Sequence, residues 1–263
     1  MPKPTIRVLR HLARSGGTVI SKCLAVMDAV ALLSEIHPLG LKQFNPVRQA
    51  LEWHGLVTMA DVKRWQKLRP AMTFDRAIAE LELRARERGR TLVIREWSHL
   101  DVIGRSFCEP TFRFLLGEAL APRFEIAQAI TVRHPVDQYL SLVRLDAVRG
   151  MTVGEYLRGC RVFAGWAHAE GFVRYEDFTR DPDAALADIC ARLRMPFDPG
   201  YRGRWAACDK ITGDTPGGKS GRGSASAEIR TLPRRDTPPG LLDEFRRHED
   251  YRVTIELLGY EDG

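Results

Sequence analysis

Hydrophobic positions along this 263-residue chain switch repeatedly between short strand-like runs and helical spacing. Residues 6–12, Ile-Arg-Val-Leu-Arg-His-Leu, read as a strand that stops at Ala13-Arg14-Ser15-Gly16-Gly17-Thr18. After the two glycines the pattern turns helical, with Val19, Ile20, Leu24 and Met27 at i, i+1, i+5 and i+8. Strand, glycine turn and helix in that order open a nucleotide-binding α/β unit. Residues 29–33 are a continuous apolar run suited to a strand buried on both faces, ending at Ser34-Glu35-Ile36-His37-Pro38.

Residues 46–88 read as two or three helices, the last over 74–88 with Ile78, Leu81 and Ala85 on one face and Gly89 as its stop. A strand follows at 91–97, then a helix within 107–120 and a strand at 126–132 that breaks at Arg133-His134-Pro135. Helices are predicted over 136–148 and 152–168, a short strand over 172–175, and a helix over 182–193 with Asp181 as its N-cap. Residues 209–239 shift to Gly, Ser, Thr, Pro, Lys and Arg, the composition of a long surface loop, and 241–258 closes the chain as one helix. Strands alternating with helices imply one α/β domain over residues 1–263, with a central parallel sheet flanked by helices.

Composition narrows the class. Hydrophobic residues make up 44% and charged residues 28%, which suits a globular chain and not a disordered one. The longest apolar stretch, 23–33, is interrupted by Asp28 and falls far short of the ~20 residues that span a bilayer. The N-terminus has no charged start, apolar run and cleavage site. The five cysteines form no CxxC, and their odd number suits free thiols in a reducing compartment. The expectation is a cytoplasmic protein without a membrane span or a metal site. Lys and Arg exceed Asp and Glu by 40 − 34 = 6, scattered along the chain, which fits an anionic small molecule at least as well as nucleic acid.

Chemistry gathers where strands end. A glycine turn before a helix offers backbone N–H groups and the positive helix end to an anion. Arg14 adds a charge there, and Ser15 and Thr18 add hydroxyls. Neither GxxxxGK[ST] nor GxGxxG is present. Arg133 closes a strand, and Ser141 lies about two helical turns further on. Arg14, Glu35, His99 and Arg133 all fall at carboxyl ends of strands, where open parallel sheets bind ligands.

Ala-Arg-Ser-Gly-Gly-Thr at 13–18, with Val-Arg-His-Pro-Val-Asp-Gln-Tyr-Leu-Ser at 132–141, resembles the sulfotransferase family. Val-Arg-Tyr-Glu-Asp-Phe at 173–178 is similar to its Tyr-Glu-Asp segment, and 213–222 to its C-terminal glycine loop. The resemblance spans residues 6 to about 260 and implies a P-loop-kinase-like fold. It also implies 3′-phosphoadenosine 5′-phosphosulfate (PAPS) as sulfuryl donor, in-line transfer to a hydroxyl or amine, and no metal. It places Arg14, Ser15, Gly16, Gly17, Thr18 and Val19 around the 5′-phosphosulfate. Arg133 and Ser141 fall on the 3′-phosphate with Lys219, Gly221 and Arg222, and Tyr175 near the adenine. Val19 stands where related proteins often carry an aromatic residue, and Gly17 where they carry a hydroxyl.

Transfer needs a base for the acceptor proton. The resemblance offers two, Glu35 after the second strand and His99 after the third, with Arg14 facing the leaving oxygen. Segments 40–90 and 100–125 would wall a small-molecule or glycan acceptor, while 209–239 would cover the nucleotide. Two other classes compete. An ATP-dependent kinase would need a loop lysine and carboxylate-held Mg²⁺. A non-enzymatic nucleotide- or nucleic-acid-binding module would show a basic stripe with interleaved aromatics.

Overall fold

The apolar runs become five parallel strands: β1 (Thr5–His11), β2 (Val30–Ile36), β3 (Thr91–Glu96), β4 (Glu125–Val132) and β5 (Phe172–Arg174). Their spatial order is β2-β3-β1-β4-β5. The computed structural model describes residues 2–68, 71–213, 228–231, 233–234 and 236–262. Leu9 of the central strand pairs with Arg95 of β3 on one side and Ala129 of β4 on the other.

The helices are α1 (Gly17–Ala25), α2 (Pro46–Glu52), α3 (Met59–Lys67), α4 (Phe74–Glu87), α5 (His99–Val102) and α6 (Leu115–Leu120). They continue as α7 (Pro135–Leu142), α8 (Val153–Glu170), α9 (Tyr175–Arg180), α10 (Pro182–Arg192), α11 (Leu241–Arg247) and α12 (Glu249–Leu258). Strands without a polar face must be covered twice. Ile6, Val8, Ala31, Leu33 and Ile94 pack against Ile78, Leu81 and Ala85 of α4 and Leu116 of α6. Leu9, Leu32, Val93 and Ala129 pack against Ile20 and Leu24 of α1 and Leu186 and Ile189 of α10. A third cluster joins Ile130 and Val132 to α7, α8 and α12.

This order places a topological switch point between β1 and β4. The chain leaves β1 towards β2 and leaves β4 towards β5, in opposite directions from neighbouring strands. Such a switch point opens a crevice outside the strands' carboxyl ends. The loops after β1 and β4, carrying Arg14 and Arg133, flank it.

Several predicted boundaries are corrected. Between 107 and 120 only Leu115–Leu120 is helical, because Pro110 and the left-handed Phe112 (φ 54°) block an earlier start. The helix predicted over 136–148 ends at Leu142, with a separate 3₁₀ turn at Asp146–Val148. The last predicted helix is two helices, broken where His248 adopts extended ψ 125°. Tyr175 begins a helix instead of ending a strand. Lys219, Gly221 and Arg222 lie outside the described residues.

Candidate functional site

Behind β1 the chain turns sharply. Arg14 (φ 71°) and Gly16 (φ 86°) are left-handed, and Ser15 folds back so that its N–H and hydroxyl donate to Leu12 O at 3.3 and 2.8 Å. Gly16 caps α1 with no side-chain hydrogen bond and no acidic residue in the first turn. The positive end of α1 therefore faces the crevice uncompensated by a carboxylate of its own. Both glycines are required by neighbouring rings. A Cβ on Gly16 would lie 2.1 Å from Tyr175 Cδ2, and one on Gly17 would lie 2.0 Å from His11 Nε2. The imidazole of His11 thus fills the space that a hydroxyl residue at position 17 would need.

Across the crevice, α7 brings Ser141 to Arg14, whose Nε donates to Ser141 Oγ at 2.9 Å. Arg133 Nη1 donates to Arg14 O at 3.3 Å, and its guanidinium lies 4.9 Å from the centre of the Tyr175 ring. Burial raises the Tyr175 phenol, so the ring is neutral beside that cation. Arg14, Gly16, Arg133, Ser141 and Tyr175 therefore form one assembly from the segments that follow β1, β4 and β5. Motif residues without an assigned ligand role, together with Tyr260 and Arg234, hold it. Gln138 donates to Ala13 O at 2.9 Å, and Glu176 accepts from the His134 backbone at 3.0 Å and from Tyr260 at 2.7 Å. Arg234 lies 3.3 Å from Asp137. Val19 points elsewhere, packed on the α1-side core.

Glu35 occupies the other half of the rim. The β2–β3 register shifts between Leu33 and Ile36, and within that irregularity Glu35 is left-handed (φ 56°). A non-glycine residue there costs about 1–3 kcal/mol. Its carboxylate is 17% exposed and lies 3.5 Å from Arg95 Nη2, which also donates to Thr18 Oγ1 at 3.4 Å. Arg95 Nε donates to His11 Nε2 at 2.9 Å. Burial first, then the Arg95 charge, hold His11 well below the usual imidazole range. His11 is therefore neutral, with its proton on Nδ1.

His99 sits differently. It is 3% exposed, neither ring nitrogen has a partner, and its ring meets Phe107 edge-on at 6.2 Å. Burial pushes its pKa down to about 4. Nearby, Trp97 is wedged between Phe44 (5.0 Å) and Phe107 (4.9 Å), and Phe107 and Leu39 are 44% and 56% exposed. His37 accepts from Leu39 N with Nδ1, so Nε2–H donates to Asp101 at 3.0 Å. Among the described residues, no three His, Cys, Asp or Glu side chains gather as a metal site, and no helix is long and apolar enough to cross a membrane.

The whole architecture is shared with solved sulfotransferase domains. The sulfotransferase domain from the curacin biosynthetic pathway superimposes with TM-score 0.63 at 18% identity, over 99% of this chain and 99% of that one. The sulfotransferase domain from the Synechococcus PCC 7002 olefin synthase does so with TM-score 0.63 at 20% identity, over 99% of this chain and 97% of that one. At this identity the likeness concerns the α/β fold, a five-stranded parallel sheet flanked by helices. No protein-family model matches the chain, and no curated protein matches it in sequence.

Proposed function

We propose that the protein transfers a sulfuryl group from PAPS to the hydroxyl or amine of a small acceptor. One observation carries this reading: Arg14, Arg133, Ser141 and the Tyr175 ring converge at the open N-terminus of α1. Two guanidinium groups, a hydroxyl and free helix amides suit a nucleotide carrying phosphate at two positions. A neutral ring packed on Gly16 suits a flat base.

Within this reading, Arg133 and Ser141 hold the 3′-phosphate, and Ser15 to Thr18 with Arg14 hold the 5′-phosphosulfate. The donor supplies an activated sulfuryl group, and the chain supplies position and charge. Glu35 takes the acceptor proton, because its carboxylate reaches the rim whereas His99 is buried without a partner. The ladder Phe44–Trp97–Phe107, whose outer two rings come from 40–90 and 100–125, walls the acceptor side.

The test combines binding with labelling. Calorimetry should find adenosine 3′,5′-bisphosphate binding well above AMP, and sulfur-labelled PAPS with a metabolite panel should yield a labelled product. Equal affinity for the two nucleotides, together with no labelled product, refutes the reading.

A further inference from the structure

Arg95 belongs to none of the motifs, yet its guanidinium is the most heavily engaged side chain at the rim. A guanidinium has five N–H donors, one at Nε and two at each Nη. Nε donates to His11 Nε2 at 2.9 Å; Nη1 donates to Ser34 Oγ at 3.2 Å and to Thr212 O at 3.0 Å. Nη2 donates to Thr18 Oγ1 at 3.4 Å and lies 3.5 Å from Glu35 Oε1. The side chain is 5% exposed. Four of the five donors bond to protein and the remaining one faces Glu35 at 3.5 Å, so this cation is engaged within the chain and not presented to a substrate oxygen. Any effect on chemistry must pass through the groups it holds.

Those groups come from separate parts of the chain. Glu35 sits in the strained irregularity of β2, and Thr18 in the first turn of α1. Thr212 is doubly tied to Ser34, through its N–H at 3.2 Å and its hydroxyl at 2.7 Å. It leads straight into Gly213, where a Cβ would come within 3.3 Å of Thr18 Oγ1 and 3.5 Å of Glu35 Oε1. One planar fork therefore sets the carboxylate, the first loop and the entry to the C-terminal segment relative to each other. A lysine, with one nitrogen, cannot span these partners.

We propose that Arg95 is a positioning residue that aligns Glu35 against the first loop and pins the C-terminal segment at Thr212. This rests on the sulfuryl-transfer reading. Transfer from labelled PAPS would be measured with the small-molecule fraction of a cell extract as acceptor mixture. Arg95→Met and Arg95→Lys would be made in the wild-type and Glu35→Gln backgrounds, with thermal melts and bisphosphate calorimetry alongside.

In the wild-type background, Arg95→Met should lower kcat by about 10²-fold, the scale of a misplaced reacting group, while bisphosphate affinity, which Thr18 and the segment after Thr212 touch only in part, falls by a much smaller factor. Arg95→Lys should recover part of that loss. In Glu35→Gln, both substitutions should cost little more, because the group they orient no longer takes a proton. Equal losses in both backgrounds overturn the inference, since Arg95 would then act independently of Glu35. If Arg95→Met does not fold, the Arg95→Lys pair decides by the same comparison. A labelling wild type with an Arg95→Met variant at full kcat overturns this inference alone. A wild type that labels nothing overturns the transfer reading and this inference together.

Discussion

Gly17→Ala adds a single methyl group where α1 begins, and what it meets sets its cost. The new Cβ would lie 2.0, 2.2 and 2.3 Å from Nε2, Cδ2 and Cε1 of His11. Backbone strain does not enter, because Gly17, unlike Gly16, is not left-handed. The ring has to move, and it is both buried and bonded: Nε2 accepts from Arg95 Nε at 2.9 Å. Overpacking a core site costs about 1–3 kcal/mol. Leaving a buried donor without its acceptor costs about 1–3 kcal/mol more. Alanine returns up to about 1 kcal/mol in helix propensity. The net expectation is a loss of about 1–5 kcal/mol by the same reckoning.

Urea unfolding followed by tryptophan fluorescence reads this directly. His11→Ala supplies the control, since it removes the ring that the methyl group strikes. In that background Gly17→Ala should be neutral or slightly stabilising, giving a coupling of about 2 kcal/mol or more. A Gly17→Ala protein as stable as wild type, or one that loses the same amount with His11 absent, refutes the steric argument. It would also remove the physical reason for glycine where related loops carry a hydroxyl residue.

Three further outcomes are expected. Arg133→Ala should abolish the preference for bisphosphate over AMP by removing a charge-assisted contact of about 1.5–3 kcal/mol, as calorimetry would show. Glu35→Gln should lower kcat by roughly 10²–10⁴-fold while bisphosphate affinity holds, and His99→Ala should lose less; the reverse order in labelled-product assays transfers the base to His99. Stability should fall below pH 6.5: His54 and His99, each held near 4 mainly by burial, stay neutral in the fold while the unfolded chain takes up protons from 6.5 downward. Asp101, pushed up to about 6 by burial, works the other way between there and its ordinary 3.8. Two histidines less one carboxyl leave one net proton, roughly 1.4 kcal/mol per pH unit between about 6 and 4, and His11 adds to the histidine side. Urea midpoints that hold steady or rise from pH 7 to 5 contradict this.

What local pattern encodes was legible, and what depends on distant partners was not. The strands showed as apolar runs because both sheet faces are covered, and the loop after β1 showed because glycine punctuates it. The irregularity at Glu35 left no trace, since it lies past the apolar run 29–33, at Ser34-Glu35, where the sequence simply reads as the end of the strand. Arg95 and His11 read as ordinary strand residues, although 84 positions separate them and their contact underlies the site. Gly17 looked like the loss of a hydroxyl until His11 was seen against it. Tyr175 reads as the end of the short strand 172–175, while its ring is fixed by Gly16 and Arg133, far away in sequence. The break at His248 occurs without Gly or Pro, the signals that would have announced it.

Unsatisfied polarity marks the same edge of the sheet. Among the described residues, eleven buried side-chain atoms lack a hydrogen-bond partner. Seven of them, on Arg10, His11, Glu96, His99, Thr131 and His134, stand at or just beyond the carboxyl ends of β1, β3 and β4. Buried polar atoms normally find partners, so each of these needs its own physical account; for Arg10 it is packing, its guanidinium lying 3.6 Å from the centre of the Phe114 ring. Charge is also divided along that edge. Arg14 and Arg133 follow β1 and β4, while at the ends of β2 and β3 Glu35 lies 3.5 Å from Arg95 and Glu96 2.8 Å from Arg10. In-line displacement requires the entering and leaving groups on opposite sides of the transferred atom. On the proposed reaction, negative charge would build at the β1–β4 crevice while the proton departs towards β2. The order β2-β3-β1-β4-β5 separates those two ends, with β1 and the helix it feeds between them.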